Sequence, residues 1–361
     1  MPSFTRSIGS FVSGLVQARG SSPVASTAPL AASPVRPAPP AAAQPAAAPS
    51  QSVDWWDSPL SEPARCTMVD GLDGAGIQDQ LESSLQAGTF RMVEIPANVF
   101  RCLEILNQPN FDYGQVEALI NHSPVLAGNI ITIANSALYS RGAHIGKLSV
   151  AMPRLGCGKI KAILYFASCE RQLSSHPLFS QVAPLITRHS YAVAQIANYM
   201  SYRYYPDSDG AFLAGLLHDV GKLAIIKELA SNYSFGRQNI SITGLTEESC
   251  GDILPLFHAR VGGLIAAKWG LAPIVTNVIA HHHDLELPAS DDDRDIQLDM
   301  CLVKIVHLSD LIARMLGYGR HVGPLHLPSL CGTLIPEIVW DEDTAAFFRP
   351  IPQILGAKPA A

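Results

Sequence analysis

Charged residues are scarce in this chain: Asp, Glu, Lys and Arg together make up 16% of its 361 residues, and the net charge is −6. No long run of Lys or Arg occurs anywhere. Proteins that hold nucleic acid through its phosphates need a basic face, because phosphate contacts supply much of the affinity. The composition therefore predicts that this protein has no nucleic-acid partner.

Long apolar runs are also missing, since no stretch reaches the roughly 18 uninterrupted apolar residues that a transmembrane helix needs. The N-terminus has no charged segment followed by a compact apolar core, so a secretory signal is not expected. The seven cysteines are dispersed, odd in number and without a CxxC pair, which is typical of reduced thiols. These features predict a cytoplasmic protein.

Apolar residues are abundant, at 48% of the chain, and most are Ala, Leu, Ile or Val. Helical periodicity recurs from about residue 80 onward, whereas no alternation of apolar and polar residues is long enough for a strand. Asp112, Pro124, Asp207 and Pro273 mark helix starts, and Gly221 is predicted to end the helix that begins near Asp207. The sequence predicts an all-α fold.

The chain divides into five predicted segments. Apolar residues at helical spacing predict an amphipathic helix over 1–19, suited to weak contact with a membrane surface or to docking on a partner; a disordered apolar tail is the alternative. Residues 20–51 form a disordered linker rich in Pro and Ala. Residues 52–89 connect it to the folded domain, 90–317, and 318–361 form a partly ordered tail with several prolines.

Two adjacent tryptophans, Trp55 and Trp56, interrupt the polar character of the connecting segment. We expect them to pack against the domain that follows. A separate recognition motif is the alternative.

Five short segments within the domain carry side chains that bind metal ions. The predicted ligands are His189, His218, Asp219, His258, His282, His283 and Asp310. Imidazole nitrogens and carboxylate oxygens without thiolates suit Fe, Mn, Co, Ni or Zn. A carboxylate with two oxygens can bridge two ions, and Asp219 is placed for that role. Two adjacent ions can act on a phosphoester, and Lys222 is placed to meet a phosphate as a point charge, so Asp219 and Lys222 are the candidate catalytic residues if the protein is an enzyme.

Two alternatives remain open for this cluster. Three consecutive histidines allow His281 and His282 to be the ligand pair in place of His282 and His283. The His and Asp side chains also suit a metal-free hydrogen-bonded network in the core, which is the usual role of a histidine on an apolar helix.

The chain resembles the HD superfamily of metal-dependent phosphohydrolases, and more closely its HDOD branch, the HD-related output domain of bacterial signalling proteins. The front part of the domain, 90–178, carries the HDOD lead-in: EIPANVFRCLEILNQPNFDYGQVEALINHSPVLAGNIITIANSALY and IGKLSVAMPRLG. The HD-like part, 179–317, carries RHSYAVAQIA, FLAGLLHDVGKLAI, HARVGGLIAAKWGLAP and IAHHH. The resemblance implies a helical fold of two parts.

The ligand order is also similar to that of the HD-GYP branch, which contains cyclic di-GMP phosphodiesterases. In that branch a glutamate and a Gly-Tyr-Pro element follow the paired histidines, whereas this chain continues DLELPASDDD. Gly317-Tyr318-Gly319 comes after Asp310 and is not that element. Leu185 stands where some members place a glutamate for a third ion, so the resemblance implies at most a metal pair.

By this resemblance, Asp219 would bridge two ions and the other ligands would divide into two groups: His189, His218 and Asp310, and His258, His282 and His283. HDOD domains are regarded as regulatory, which implies a bacterial signal-transduction module that acts by binding a signalling protein or a ligand. The alternative is a metal-dependent phosphohydrolase acting on a nucleotide or on cyclic di-GMP. A sensor whose helical halves shift on metal or nucleotide binding is a third hypothesis.

Overall fold

The structure is a computed structural model, and all described residues that form regular structure are helical. Fifteen helices and no strand occur in these residues. The described residues are 54–56, 74–140, 142–173, 179–232, 257–285, 294–319 and 325–356. The all-α prediction is confirmed for this part of the chain. The predicted N-terminal helix and linker, 1–51, lie outside it.

Six of the described helices precede residue 179; the first lies in the predicted connecting segment 52–89 and the other five in the predicted front part, 90–178. They are α1 (Gly74–Gln86), α2 (Ala97–Leu106), α3 (Tyr113–Ile120), α4 (Pro124–Ala134), α5 (Leu148–Leu155) and α6 (Cys157–Leu173). Their starts follow local sequence signals. Asp112 caps α3 by accepting a hydrogen bond from the N–H of Gly114, and Pro124 is the first residue of α4, where its missing N–H costs nothing.

Six further helices form the HD-like part. They are α7 (Phe179–Tyr204), α8 (Ser208–Leu217), α9 (Val220–Asn232), α10 (Phe257–Lys268), α11 (Pro273–His281) and α12 (Arg294–Met315). Asp207 caps α8 by accepting from the N–H groups of Asp209 and Gly210, and Pro273 opens α11.

The end of α8 differs from the prediction. The helix ends at Leu217 instead of Gly221, and the chain turns through His218 and Asp219 before α9 begins. Gly221 lies in the first turn of α9, at the point where α9 closely approaches α10. A Cβ at this position would overlap the carbonyl oxygen of His258.

The C-terminal segment is more ordered than the partly ordered tail that its prolines predicted. It contains α13 (Leu327–Leu334), α14 (Glu342–Phe348) and α15 (Ile351–Ile354). Two of its prolines lie at helix starts, where proline is tolerated. Phe348 is fully buried, so these helices belong to the main core.

The two tryptophans pack on this C-terminal segment. Trp56 is buried and meets Trp340 edge-on, with ring centroids 5.4 Å apart. The indole N–H of Trp55 donates to the carbonyl oxygen of Phe348 at 3.2 Å. Both residues thus have a packing role, as expected, but these contacts are with the C-terminal segment and not with the predicted domain 90–317.

Among the described helices, none is both long enough and apolar enough to cross a membrane.

Candidate metal centre

The fold brings the seven predicted ligands together from five places in the HD-like part. His189 lies on α7, His218 and Asp219 form the turn between α8 and α9, and His258 is the second residue of α10. His282 and His283 follow the end of α11, and Asp310 lies on α12. All but His283 are buried. Their assignment as metal ligands stays a prediction.

Asp219 lies at the centre of the cluster, and its two carboxylate oxygens face different histidines. Oδ1 lies 3.2 Å from Nε2 of His258 and 3.8 Å from Nε2 of His282. Oδ2 lies 3.3 Å from Nε2 of His218 and 3.5 Å from Nε2 of His189. A carboxylate placed in this way can share its oxygens between two ions.

The surrounding ligand atoms fall into two groups on either side of Asp219. One consists of His189, His218 and Asp310, and the other of His258, His282 and His283; within each group the ligand atoms lie within 4.8 Å of one another, and a third group of the same kind, His218, Asp219 and His282, joins the two. Nε2 of His189 lies 3.0 Å from Oδ1 of Asp310. This division is the same as the one that the family resemblance implies.

Backbone carbonyl groups orient three of the histidines. Nδ1 of His189 lies 2.6 Å from the carbonyl oxygen of Tyr318, and Nδ1 of His218 lies 2.8 Å from that of Gly215. Nδ1 of His282 lies 2.8 Å from the carbonyl oxygen of Ile279. A nitrogen that faces a carbonyl oxygen must carry the proton, so in the neutral ring Nε2 presents its lone pair to the cluster.

The cluster therefore holds more hydrogen-bond acceptors than protons. Nε2 of His258 lies 3.3 Å from Nε2 of His282 and 3.2 Å from Nε2 of His283, and one N–H can serve only one of these neighbours well. Nε2 of His218 and Oδ1 of Asp219 are buried and make no hydrogen bond. Buried acceptors without donors are costly, and a divalent cation satisfies several at once. The donor set thus fits a pair of divalent ions with nitrogen and oxygen ligands.

Burial keeps two of the histidines in the form that binds metal. Burial, together with the neighbouring histidines, lowers the pKa of His283 to about 3 and the pKa of His282 well below its ordinary value. Both rings are therefore neutral at physiological pH. A metal ion binds the neutral imidazole.

The two carboxylates are ionised despite their burial. Burial alone would raise the pKa of Asp219, but the adjacent imidazole of His218 and the ammonium group of Lys222 outweigh it and hold that pKa well below its ordinary value. The same balance holds for Asp310, where the guanidinium of Arg314 lies 2.8 Å from Oδ1. The centre thus offers two negative charges to a cation.

Lys222 is buried, and its ammonium group donates to Oδ2 of Asp219 at 2.6 Å. It lies in the first turn of α9, three residues after its partner. The structure therefore places Lys222 at the metal centre. Its contact with a phosphate stays a prediction.

The structure separates the three consecutive histidines. His281 is the last residue of α11, and its Nδ1 lies 3.8 Å from a carboxylate oxygen of Asp284 at the edge of the cluster. His282 and His283 point into it. The geometry thus brings His282 and His283 into the cluster, and their role as the ligand pair stays a prediction. Leu185, which stands where some family members place a glutamate for a third ion, lies one turn before His189 and is 46% exposed.

Three residues that support the cluster were missed by sequence reasoning. Nδ1 of His307 lies 2.9 Å from the carbonyl oxygen of His282, and Arg314 pairs with Asp310. Tyr318 supplies the carbonyl oxygen that orients His189. Helical spacing links His307, Asp310 and Arg314 and would have found two of them. No sequence signal marks a backbone carbonyl.

Comparisons with known proteins agree with this architecture. The HDOD domain model matches residues 92–285, which is more than half of the chain and lies within the predicted domain 90–317. A protein of Treponema pallidum (strain Nichols) that is itself uncharacterized is 25% identical over 223 residues, covering 58% of this chain and 41% of that protein. The matched region is thus less than half of that relative's length.

Two solved structures share the fold. One is a protein of Shewanella amazonensis SB2B, named provisionally as a metal-dependent phosphohydrolase, with 20% identity and a TM-score of 0.59 over 78% of this chain and 98% of that chain. The other is an HDOD domain protein of unknown function from Geobacter sulfurreducens, with 20% identity and a TM-score of 0.53 over 78% and 97%. From the matched residues and the helical architecture, this chain belongs to the HDOD domain family.

Proposed function

We propose that this HDOD protein is a bacterial signal-transduction module that regulates by binding a partner protein or a ligand. We further propose that its His/Asp cluster holds a pair of divalent ions, Fe, Mn, Co, Ni or Zn, which stabilise the fold around the centre. Asp219 would bridge the ions. His189, His218 and Asp310 would hold one of them, and His258, His282 and His283 the other.

The closure of the centre is the observation that carries the regulatory proposal. The side chains of His189, His218, Asp219 and His282 are 0% exposed, and Asp310 is 1% exposed. A catalytic metal site keeps a position open for water and substrate, whereas a structural site surrounds its ion with protein. Burial of six of the seven predicted ligands, with His283 alone partly exposed, supports a structural role.

The positively charged side chains at the centre also support a structural role. Lys222 donates to Asp219, and Arg314 pairs with Asp310, so each carboxylate already has a protein partner beside it. A cation held in this way helps to neutralise buried negative charge. It contributes to the fold without any substrate.

The proposed partner is a signalling protein, and residues 1–19 would provide a second, weak contact with a partner or with a membrane surface. A cytoplasmic location is part of this proposal. It is supported by the five cysteines in the described part of the chain, none of which forms a disulfide bond there.

A metal-dependent phosphohydrolase is the second candidate function. The full ligand set favours it, together with Lys222, whose ammonium group lies at the centre and is able to meet a phosphate. A divalent ion pair would supply Lewis-acid activation of a phosphoester. Nucleotides and cyclic di-GMP are the proposed substrate classes.

Elemental analysis of the purified protein tests the metal centre. We expect about two ions per chain, and their loss in a His218→Ala/Asp219→Ala variant. The matched control is His281→Ala, because His281 belongs to the same run of histidines but lies outside the cluster; its metal content should be unchanged. Protein that holds no metal after reloading with Fe, Mn or Zn would contradict the proposal.

An assay of the metal-loaded protein against phosphoesters, nucleotides and cyclic di-GMP separates the two functions. The regulatory proposal expects no turnover that depends on His218 and Asp219. Metal-dependent hydrolysis that is lost in the double variant and kept in His281→Ala would establish the phosphohydrolase instead.

A further inference from the structure

A cleft of about 600 Å³ lies outside the metal centre, between the front part of the fold and the HD-like part. One wall is the extended segment that precedes α2, from Thr89 to Ala97. The opposite wall consists of Lys227 on α9 and Lys268 at the end of α10. The cleft is thus formed by residues distant in sequence, and no motif in the sequence marks it.

The cleft is positively charged, although the chain as a whole carries a net charge of −6. Arg91, Lys227 and Lys268 line it and outnumber the two carboxylates near them: Glu94 in the lining and the buried Glu228, both of which act on Lys227. Cations gathered in a concave surface raise the local concentration of anions. The charge therefore selects a negatively charged ligand.

Hydrogen bonds hold the walls of the cleft in position. The backbone N–H of Arg91 donates to the buried carboxylate of Glu228 at 3.0 Å, and the ammonium group of Lys227 donates to the carbonyl oxygen of Met92 at 3.4 Å. The indole N–H of Trp269 donates to the carbonyl oxygen of Val93 at 3.2 Å. A site fixed in this way loses little conformational freedom when a ligand binds.

Two further features of the cleft suit a phosphate ester with an organic body. The N-terminus of α2 opens into it, with Pro96 at the N-cap, so the positive end of the helix dipole faces the cleft. Phe90, Met92 and Ile95 provide an apolar wall. The volume is typical of small-molecule sites, which range over roughly 300–1,000 Å³.

We propose that this cleft binds a phosphorylated small molecule of nucleotide size, with its phosphates on Arg91, Lys227 and Lys268 and its organic body on the apolar wall. This site is separate from the metal centre and does not require metal.

The position of the site connects it to the centre through two helices. Lys227 lies about 10 Å along α9 from Val220, which follows Asp219, and Lys268 lies about 15 Å along α10 from His258. A ligand that pulls on both lysines therefore acts on the two helices that position these predicted metal ligands.

Calorimetric titration of the full chain with ADP, pyrophosphate and adenosine tests the proposal. ADP supplies both parts of the ligand, pyrophosphate only the phosphates and adenosine only the organic body. We expect ADP and pyrophosphate to bind and adenosine not to bind. Raising the salt concentration should weaken the binding, because the contacts are ionic.

The matched variants are Arg91→Gln/Lys268→Gln and, as a control, Lys147→Gln, an exposed lysine outside the cleft. Arg91 and Lys268 are exposed, and the hydrogen bond from the Arg91 backbone is kept, so the double variant should fold normally. We expect its affinity for ADP to fall at least ~tenfold and that of the control to be unchanged.

Three results would overturn the proposal: no binding of ADP at millimolar concentration, adenosine binding as tightly as ADP, or equal affinity of the double variant and the control. Because the titration is repeated with the metal-free His218→Ala/Asp219→Ala protein, loss of the metal centre is distinguished from loss of the cleft. The proposal expects ADP to bind in both.

Discussion

Substitution of Gly221 by alanine provides a direct test of how the metal centre is assembled. A Cβ at this position would overlap the carbonyl oxygen of His258 and stand 2.8 Å from its carbonyl carbon and 2.9 Å from the backbone nitrogen of Gly262. All three atoms are backbone, so no rotamer change can relieve the contact. The substitution must push α9 and α10 apart, and it must move His258 away from Asp219.

The magnitude follows from the nature of these contacts. Overpacking a filled core costs typically ~1–3 kcal/mol, and rigid backbone on the far side places Gly221→Ala at the upper end of that range. The gain in helix propensity returns up to ~1 kcal/mol. A net loss of ~2 kcal/mol would lower the midpoint of thermal unfolding by ~4–8 °C in a domain of this size.

Gly128→Ala is the matched control. Gly128 lies inside α4, is exposed and would have no atom within 4 Å of an added Cβ. The same change there should raise stability by ~0.5–1 kcal/mol, because glycine loses more backbone freedom on folding than alanine.

Thermal unfolding followed by circular dichroism measures both effects, and elemental analysis measures the metal content. We expect Gly221→Ala to be less stable than the wild type and to hold less metal. We expect Gly128→Ala to lower neither the stability nor the metal content. Equal stability of the two variants would refute the reasoning, since it would mean that α9 and α10 do not meet closely at Gly221.

Two further predictions concern residues at the centre. Tyr318→Phe removes the hydrogen bond from the hydroxyl group to the carbonyl oxygen of Leu355, 3.0 Å long, but keeps the backbone carbonyl that orients His189; thermal unfolding should show a loss of ~1 kcal/mol with unchanged metal content, and loss of metal would contradict this. In the metal-free protein, burial lowers the pKa of His283 to about 3, whereas its pKa in the unfolded state is 6.5. Below pH 6.5 the unfolded state therefore binds a proton that the folded state does not bind, so the free energy of unfolding falls as the pH drops from 6.5 towards 3. Urea unfolding at pH 7 and pH 5 should therefore show a smaller loss for His283→Gln than for the wild type; equal losses would contradict this.

Local sequence signals predicted the helices well because their causes are local. Asp112 and Asp207 accept hydrogen bonds from N–H groups two or three residues ahead. Pro124 and Pro273 lie at the first position of a helix, where a backbone N–H would have no partner within the helix. The prediction at Gly221 was wrong for a non-local reason. Gly221 allows α10 to approach α9 closely, and α10 begins more than thirty residues further along the chain.

The C-terminal segment contains more helix than its prolines alone indicate. Its prolines predicted a partly ordered tail, but Pro328 and Pro352 lie at helix starts, and the helices are held by distant contacts such as the one between Trp55 and Phe348. A segment rich in proline can contain helix starts, or it can lack helices altogether. Only the packing distinguishes the two.

The sequence by itself determined which side chains are available for a metal centre and which helices they lie on or beside, because ligand type and helical periodicity are both properties of local sequence. The tertiary structure decided the rest. It placed His282 and His283, and not His281, in the cluster, because the end of α11 sets the direction of each ring. It also supplied the carbonyl of Tyr318 and formed the cleft from three distant segments, since such contacts depend on which elements meet when the chain is folded.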